Sequence, residues 1–148
     1  MAKLRVGIVG IKPSGMAAHR ARNVLANPEC ELAGLCCRTE RIVKEMCATL
    51  GGKPFTNYDE MAASPEIDAI CVSIRNRLHY PMAKKALEGG KHVLVEYPMV
   101  TRLEEFDELL DLARQKGLVI HHGLNVRHET LYKWLEEALG RIGEPISI

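Results

Sequence analysis

The sequence predicts a doubly wound α/β fold with a mostly parallel sheet, and three features support this. Short runs rich in Val, Ile and Leu alternate with longer stretches of helical period. Those runs lack the polar alternation of half-exposed strands, as expected for strands covered on both faces. Glycines stand where the helical stretches should stop. Strand–helix alternation of this kind joins parallel strands through right-handed crossovers.

In chain order, the strand-like runs are Leu4–Val9, Glu31–Cys37, Ala69–Ile74, His92–Glu96 and Leu118–His121, with a short one at Pro54–Thr56. Helices are expected over Gly15–Ala26, Glu40–Leu50, Leu78–Glu88 and Leu103–Gln115. Asn57 with Glu60 and Thr101 with Glu104 have capping-box spacing, and Gly51, Gly89 and Gly117 are placed to end helices. A further helix over His128–Leu139 puts Leu131, Trp134, Leu135, Ala138 and Leu139 on one face. After it, Pro145–Ile148 reads as the start of a strand. The expected division is a first domain over residues 1–124, then a helix and crossover strand over 125–148 leading toward a missing second domain.

Composition limits the function. The chain has 148 residues, 47% apolar and 26% charged, with a net charge of +1. That fits one soluble domain with a proper core and argues against nucleic acid as a partner. No apolar run approaches the roughly 20 residues that span a bilayer, and the opening MAKLRVGIVG lacks the pattern of a signal peptide. No membrane partner and a cytoplasmic setting are therefore expected. The five cysteines, Cys30, Cys36, Cys37, Cys47 and Cys71, include no C-x-x-C pair and read as reduced core residues. No metal site is expected: His121 and His122 lack further ligands, and the acidic face from Glu104 to Asp111 reads as solvated.

The first strand ends in Gly10-Ile11-Lys12-Pro13-Ser14-Gly15 and runs into a helix. This strand–turn–helix is where a Rossmann-type sheet binds a dinucleotide pyrophosphate. Gly10 and Gly15 fill the first and third positions of G-x-G-x-x-G, and Lys12 stands at the second. There it either obstructs the approach of phosphate to the backbone or supplies a compensating charge. Ser14 offers a hydroxyl to a phosphate oxygen. The plainer alternative is a tight turn with no ligand. The second strand ends Cys36-Cys37-Arg38-Thr39, with Arg41 nearby. No acid is placed there to grip a ribose 2′-hydroxyl, whereas Arg38 can pair with the 2′-phosphate of NADP or stack on adenine. NADP is the expected cofactor, with NAD as the alternative.

Read together, these segments resemble the Gfo/Idh/MocA oxidoreductases. Val6–Gly15 resembles their glycine-rich start, with His19 where a histidine often follows. Ser73-Ile74-Arg75-Asn76-Arg77-Leu78-His79 resembles their A-T-P-N-x-x-H segment, and Gly90–Pro98 their G-K-H-V-x-x-E-K-P segment. Asn125-Val126-Arg127 resembles the asparagine–x–arginine run that follows their sixth strand, and Gly140–Pro145 resembles their crossover into the second domain. The stretch Gly90–Met99 also resembles biliverdin reductases of the same superfamily. The resemblance implies a cofactor edge that includes Ser73, Asn76, His79 and Glu96, with Asn76 also placed to cap the fourth helix. Tyr97 replaces the active-site lysine of the E-K-P motif. A phenol is a neutral donor at neutral pH. It can polarise a carbonyl or imine, or give up a proton while hydride comes from the cofactor; otherwise it packs beside the nicotinamide. A cis Tyr97–Pro98 bond suits the tight turn.

The expected function is thus the cofactor domain of an NAD(P)-dependent oxidoreductase acting on a small-molecule substrate. The isolated chain is expected to be inactive and to form a homo-oligomer, with Pro145–Ile148 pairing between copies. The competing reading is a non-catalytic nucleotide-binding or regulatory module from the same family.

Overall fold

The computed structural model describes residues 2–125 and 130–142. Val126, Arg127, Gly143 and the strand expected at Pro145–Ile148 lie outside the described residues. The order of elements is β1 (Leu4–Val9), α1 (Met16–Ala26), β2 (Cys30–Cys36), α2 (Glu40–Leu50), β3 (Lys53–Phe55), α3 (Tyr58–Ala63), β4 (Ala69–Val72), a 3-10 turn (Asn76–Leu78), α4 (His79–Glu88), β5 (His92–Glu96), α5 (Leu103–Lys116), β6 (Ile120–Gly123) and α6 (Thr130–Ile142). The six strands pair in parallel in the order β3-β2-β1-β4-β5-β6. The expected doubly wound Rossmann sheet is therefore the observed one. Strand order reverses between β1 and β4, and such a switch point leaves a crevice at the carboxyl ends of the strands.

Both faces of the sheet are covered, which explains the uninterrupted apolar strands. On one face Val6 and Ile8 of β1, Leu32 and Leu35 of β2 and Cys71 of β4 pack with Ala17, Ala18 and Ala21 of α1 and Val43 and Met46 of α2. The alanines bring α1 close to the sheet. On the other face Val9, Ile70, Val72, Val93 and Val95 pack with α3, α4 and α5 through residues such as Met61, Leu87 and Leu109. Burying an aliphatic side chain of this size is worth about 1.5–3 kcal/mol, so the alternation of faces along each strand fixes its register.

Several expectations are corrected. A helix, α3, forms where only a capping signal was read: Asn57 Oδ1 accepts the Asp59 N–H at 2.9 Å. The Thr101–Glu104 box does not form, because α5 begins at Leu103 with Arg102 as its N-cap residue and no side-chain cap. Asn76 does not cap α4; it opens the 3-10 turn, and Leu78 precedes the helix. β4 stops at Val72, two residues early, which frees Ser73 and Ile74 from the ladder. β6 runs later than expected, at Ile120–Gly123. On α6, Trp134, Leu135 and Leu139 are exposed.

Candidate functional site

The loops at the carboxyl ends of β1, β2, β4 and β5 enclose a cleft of about 670 Å³. It is lined by Gly10, Ile11, Lys12, Gly15, Met16 and Ala17 from the first loop, and Cys37, Arg38, Thr39 and Ile42 from the second. Ser73, Ile74, Arg75 and His79 line it after β4, and Glu96 and Tyr97 at the end of β5. Of the residues expected from sequence, Ser14 and Asn76 do not line it; both are exposed. Met16, Ile42 and Arg75 line it without having been anticipated. Arg75 had a signal, since it stands where the resembled motif has proline.

The turn after β1 is held by close packing. Gly10 has φ +94°, and a Cβ there would lie 2.0 Å from the Ser73 carbonyl oxygen. Only glycine fits against β4 at this point. Gly15 is the N-cap residue of α1, with no side-chain cap and no acid in the first turn. The first amides of α1 therefore keep their donors for a ligand at the cleft, at the positive end of the helix. Lys12 folds back over this turn: a Cβ on Gly15 would meet Lys12 Cε at 3.0 Å and Nζ at 3.8 Å. Its ammonium thus sits beside the helix start, a repulsive arrangement until an anion joins it.

After β2, the Cys37 thiol donates to the Thr39 carbonyl oxygen at 3.3 Å, and Thr39 is the N-cap residue of α2 without a side-chain bond to it. Arg41 pairs with Glu45 at 2.7 Å. Arg38 is exposed, and among the described residues it has no ion pair. After β4, the Ser73 hydroxyl is buried with no hydrogen-bond partner among the described residues. His79 is 1% exposed. Its Nδ1 lies 2.6 Å from the Pro98 carbonyl oxygen and its Nε2 3.0 Å from that of Ile74. Both partners only accept, so whichever nitrogen carries the proton donates to backbone. His79 fastens the loop after β4 to the turn after β5.

At β5, Arg20 of α1 donates from Nε to Glu96 Oε1 at 2.5 Å and from Nη2 to Asn125 Oδ1 at 2.8 Å. The two charged side chains are 14% and 12% exposed, and the bond from Glu96 holds the Arg20 guanidinium above its ordinary pKa. The Tyr97–Pro98 bond is cis. Tyr97 is 66% exposed, and its ring stacks on His122 with centroids 5.6 Å apart. All five cysteines are free. Burial pushes Cys36 and Cys71 up to about 12, so they remain thiols.

This cleft, at the switch point of a parallel sheet, defines a dinucleotide-binding α/β domain. Residues 4–124 match the oxidoreductase family with an NAD-binding Rossmann fold, GFO_IDH_MocA, and the chain belongs to that family. It is similar to 1,5-anhydro-D-fructose reductase of Ensifer adhaerens, 36% identical over 98 residues, covering 65% of this chain and 29% of the relative. It is also similar to dTDP-3,4-didehydro-2,6-dideoxy-alpha-D-glucose 3-reductase of Streptomyces violaceoruber, 30% identical, covering 95% of this chain and 42% of that protein. Among solved structures, biliverdin reductase from Synechocystis sp. PCC 6803, in complex with biliverdin and NADP+, superposes with a TM-score of 0.86. It has 30% identity and covers 95% of this chain and 44% of that one. The chain spans less than half the length of these proteins.

Proposed function

We propose that the protein is the cofactor-binding part of an NAD(P)-dependent oxidoreductase and that it prefers NADP(H). The observation that carries this is a cleft at the sheet's switch point whose cations, Lys12, Arg38 and Arg75, have no acidic partner among the described residues. The free amides at the start of α1 and the Lys12 ammonium suit a pyrophosphate, and Arg38 suits a 2′-phosphate. Thr39 closes the adenosine end. The orphaned Ser73 hydroxyl supplies a donor or acceptor midway, and Glu96, already oriented by Arg20, lies at the nicotinamide end. Solved structures similar to this chain hold either cofactor: a 3-ketoreductase from Actinomadura kijaniata is in complex with NADP and TDP-benzene, and GenD2 from gentamicin A biosynthesis is in complex with NAD, so the preference for NADP(H) here rests on Arg38.

When bound, the nicotinamide supplies or accepts hydride. Tyr97, exposed at the end of β5 and stacked on His122, holds a hydroxyl proton toward the space a substrate would occupy. It donates that proton to a carbonyl, imine or conjugated group on a small molecule. His79 is a positioning residue that sets the turn carrying Tyr97. Residues 1–124 form the cofactor domain in this reading, and 125–148 lead toward a substrate domain. Five free cysteines accord with a cytoplasmic protein. The exposed Trp134, Leu135 and Leu139 give a homo-oligomer an apolar surface, which sedimentation analysis tests. Titration calorimetry with NADPH and NADH tests the cofactor assignment: saturable binding of NADPH is expected. In an enzyme form that carries a substrate domain as well, turnover of the Tyr97→Phe variant tests the chemistry, with a loss of about 10²-fold or more expected at unchanged cofactor affinity. Unchanged turnover would return Tyr97 to a packing role.

A further inference from the structure

A second groove, of about 460 Å³, adjoins the cleft. Arg38 and Arg75 line both, so the two share a wall along the crest of β1. The second groove adds Arg77 from the 3-10 turn, and Thr56 and Tyr58 from the far side of β3. Nothing from β5 lines it. It therefore opens at the β2–β3 end of the sheet, away from Glu96 and Tyr97, where the adenosine half of a dinucleotide lies.

Its charge is unpaired. Several basic side chains elsewhere on the surface, Arg41, Lys44, Lys53, Lys84 and Lys85 among them, are paired with carboxylates. Arg38, Arg75 and Arg77 are all exposed and have no ion pair or side-chain hydrogen bond among the described residues. The floor adds no competing acid: Tyr58 gives its hydroxyl hydrogen to the Met82 carbonyl oxygen at 2.7 Å, and burial keeps that phenol protonated. Three guanidiniums facing one groove repel one another unless an anion lies between them, and the planar fork of arginine matches phosphate oxygens in pairs.

We infer that Arg75 and Arg77, from the loop after β4, close on Arg38 to form a three-arginine pocket for a phosphomonoester on the adenosine ribose. The inference rests on the dinucleotide reading above and deepens it: discrimination for the 2′-phosphate comes from two loops, not only from the end of β2.

The test is calorimetric titration of the wild type, Arg75→Ala, Arg77→Ala and Arg75→Lys with NADPH, NADH, 2′,5′-ADP, 5′-AMP and inorganic phosphate. Thermal midpoints serve as the folding control. Both arginines are exposed and unpaired, so the midpoints should hold. Arg75→Ala and Arg77→Ala are expected to weaken NADPH and 2′,5′-ADP by about tenfold, the value of one charge-assisted bond. NADH and 5′-AMP should change less than twofold, and Arg75→Lys should recover part of the loss. Equal losses for NADPH and NADH, or no loss for either, would overturn the pocket while leaving the dinucleotide reading intact. Inorganic phosphate binding as tightly as 2′,5′-ADP would show a general anion site and overturn it too. A wild type that binds neither dinucleotide would overturn the cofactor reading itself, and this inference with it.

Discussion

The two edges of the sheet differ in how many of their cations find partners. At the amino edge two basic side chains are bonded to groups of the fold. Arg5 Nη2 meets Asp68 Oδ1 at 2.6 Å and its Nε meets Oδ2 at 2.9 Å, while the Arg5 backbone N–H donates to the same carboxylate. Lys91, 7% exposed, gives its ammonium protons to the carbonyl oxygens of Ser64 and Ile67 at 2.6 and 2.9 Å. At the carboxyl edge Lys12, Arg38, Arg75 and Arg77 stand without partners among the described residues, beside uncapped amides of α1 and an orphaned Ser73 hydroxyl. Buried polar groups are normally satisfied. The buried Ser73 hydroxyl departs from that rule at the carboxyl edge, where four exposed cations are also unpaired although Arg20 and Glu96 are bonded to each other, and this is the edge that the proposed cofactor would occupy.

Gly10→Val challenges that contrast most severely. A side chain at φ +94° with its Cβ 2.0 Å from backbone has no place to go. The expected cost is on the order of 3 kcal/mol or more, seen as a fall in thermal midpoint of roughly 10 °C together with lost cofactor binding. Lys91→Met should be milder and confined to stability. Two buried carbonyls lose a charged donor, at a cost of about 1–3 kcal/mol, and NADPH affinity should stay within twofold. A Lys91→Met protein that keeps its midpoint but loses cofactor would invert the roles of the two edges. Arg38→Ala should do the reverse of Lys91→Met: an unchanged midpoint, NADPH weakened about tenfold, and NADH nearly unaffected.

Asp68→Asn should give the smallest effect and is best read against pH. The Arg5 side chain, and then its backbone N–H, hold the Asp68 carboxyl down to about 2, against about 4 for an ordinary aspartate. Because the folded value is the lower one, the stabilisation is whole above about pH 4 and is lost as pH falls toward about 2. Thermal melts of the wild type should therefore fall across that window more steeply than those of Asp68→Asn. Near neutral pH the wild type should be the more stable of the two, by a modest margin because the pair is partly exposed, and the two should converge as pH falls toward about 2. Parallel curves would show that the pair contributes no linkage.

The two edges also differed in how far they could be read beforehand. Alternating apolar runs and glycine stops were enough to place all six strands, because a parallel sheet buried on both faces needs uninterrupted apolar segments. Gly10, Gly15 and Arg38 line the cleft as the sequence led one to expect, because a pyrophosphate turn and a 2′-phosphate site, if the proposed cofactor binds there, would need those residue types at those positions. Helix starts were less legible. Thr101 and Asn76 look like caps, but a helix start is set by where the preceding strand and loop deliver the chain, and both helices begin further on. The commitments of His79 to two carbonyls and of Glu96 to Arg20 were invisible, since their partners lie on other elements. The second groove was hidden for the same reason: Arg38 and Arg77 share it only because β2 and β4 flank β1.

Amide chemical-shift mapping during titration with NADPH tests the central claim most directly. The account predicts saturable shifts at Gly10 through Ala17, Arg38 and Thr39, Ser73 through Arg77, and Glu96 and Tyr97, with Arg5, Asp68 and Lys91 unmoved. Absence of any shift at millimolar NADPH, or shifts centred on the amino edge, would contradict it.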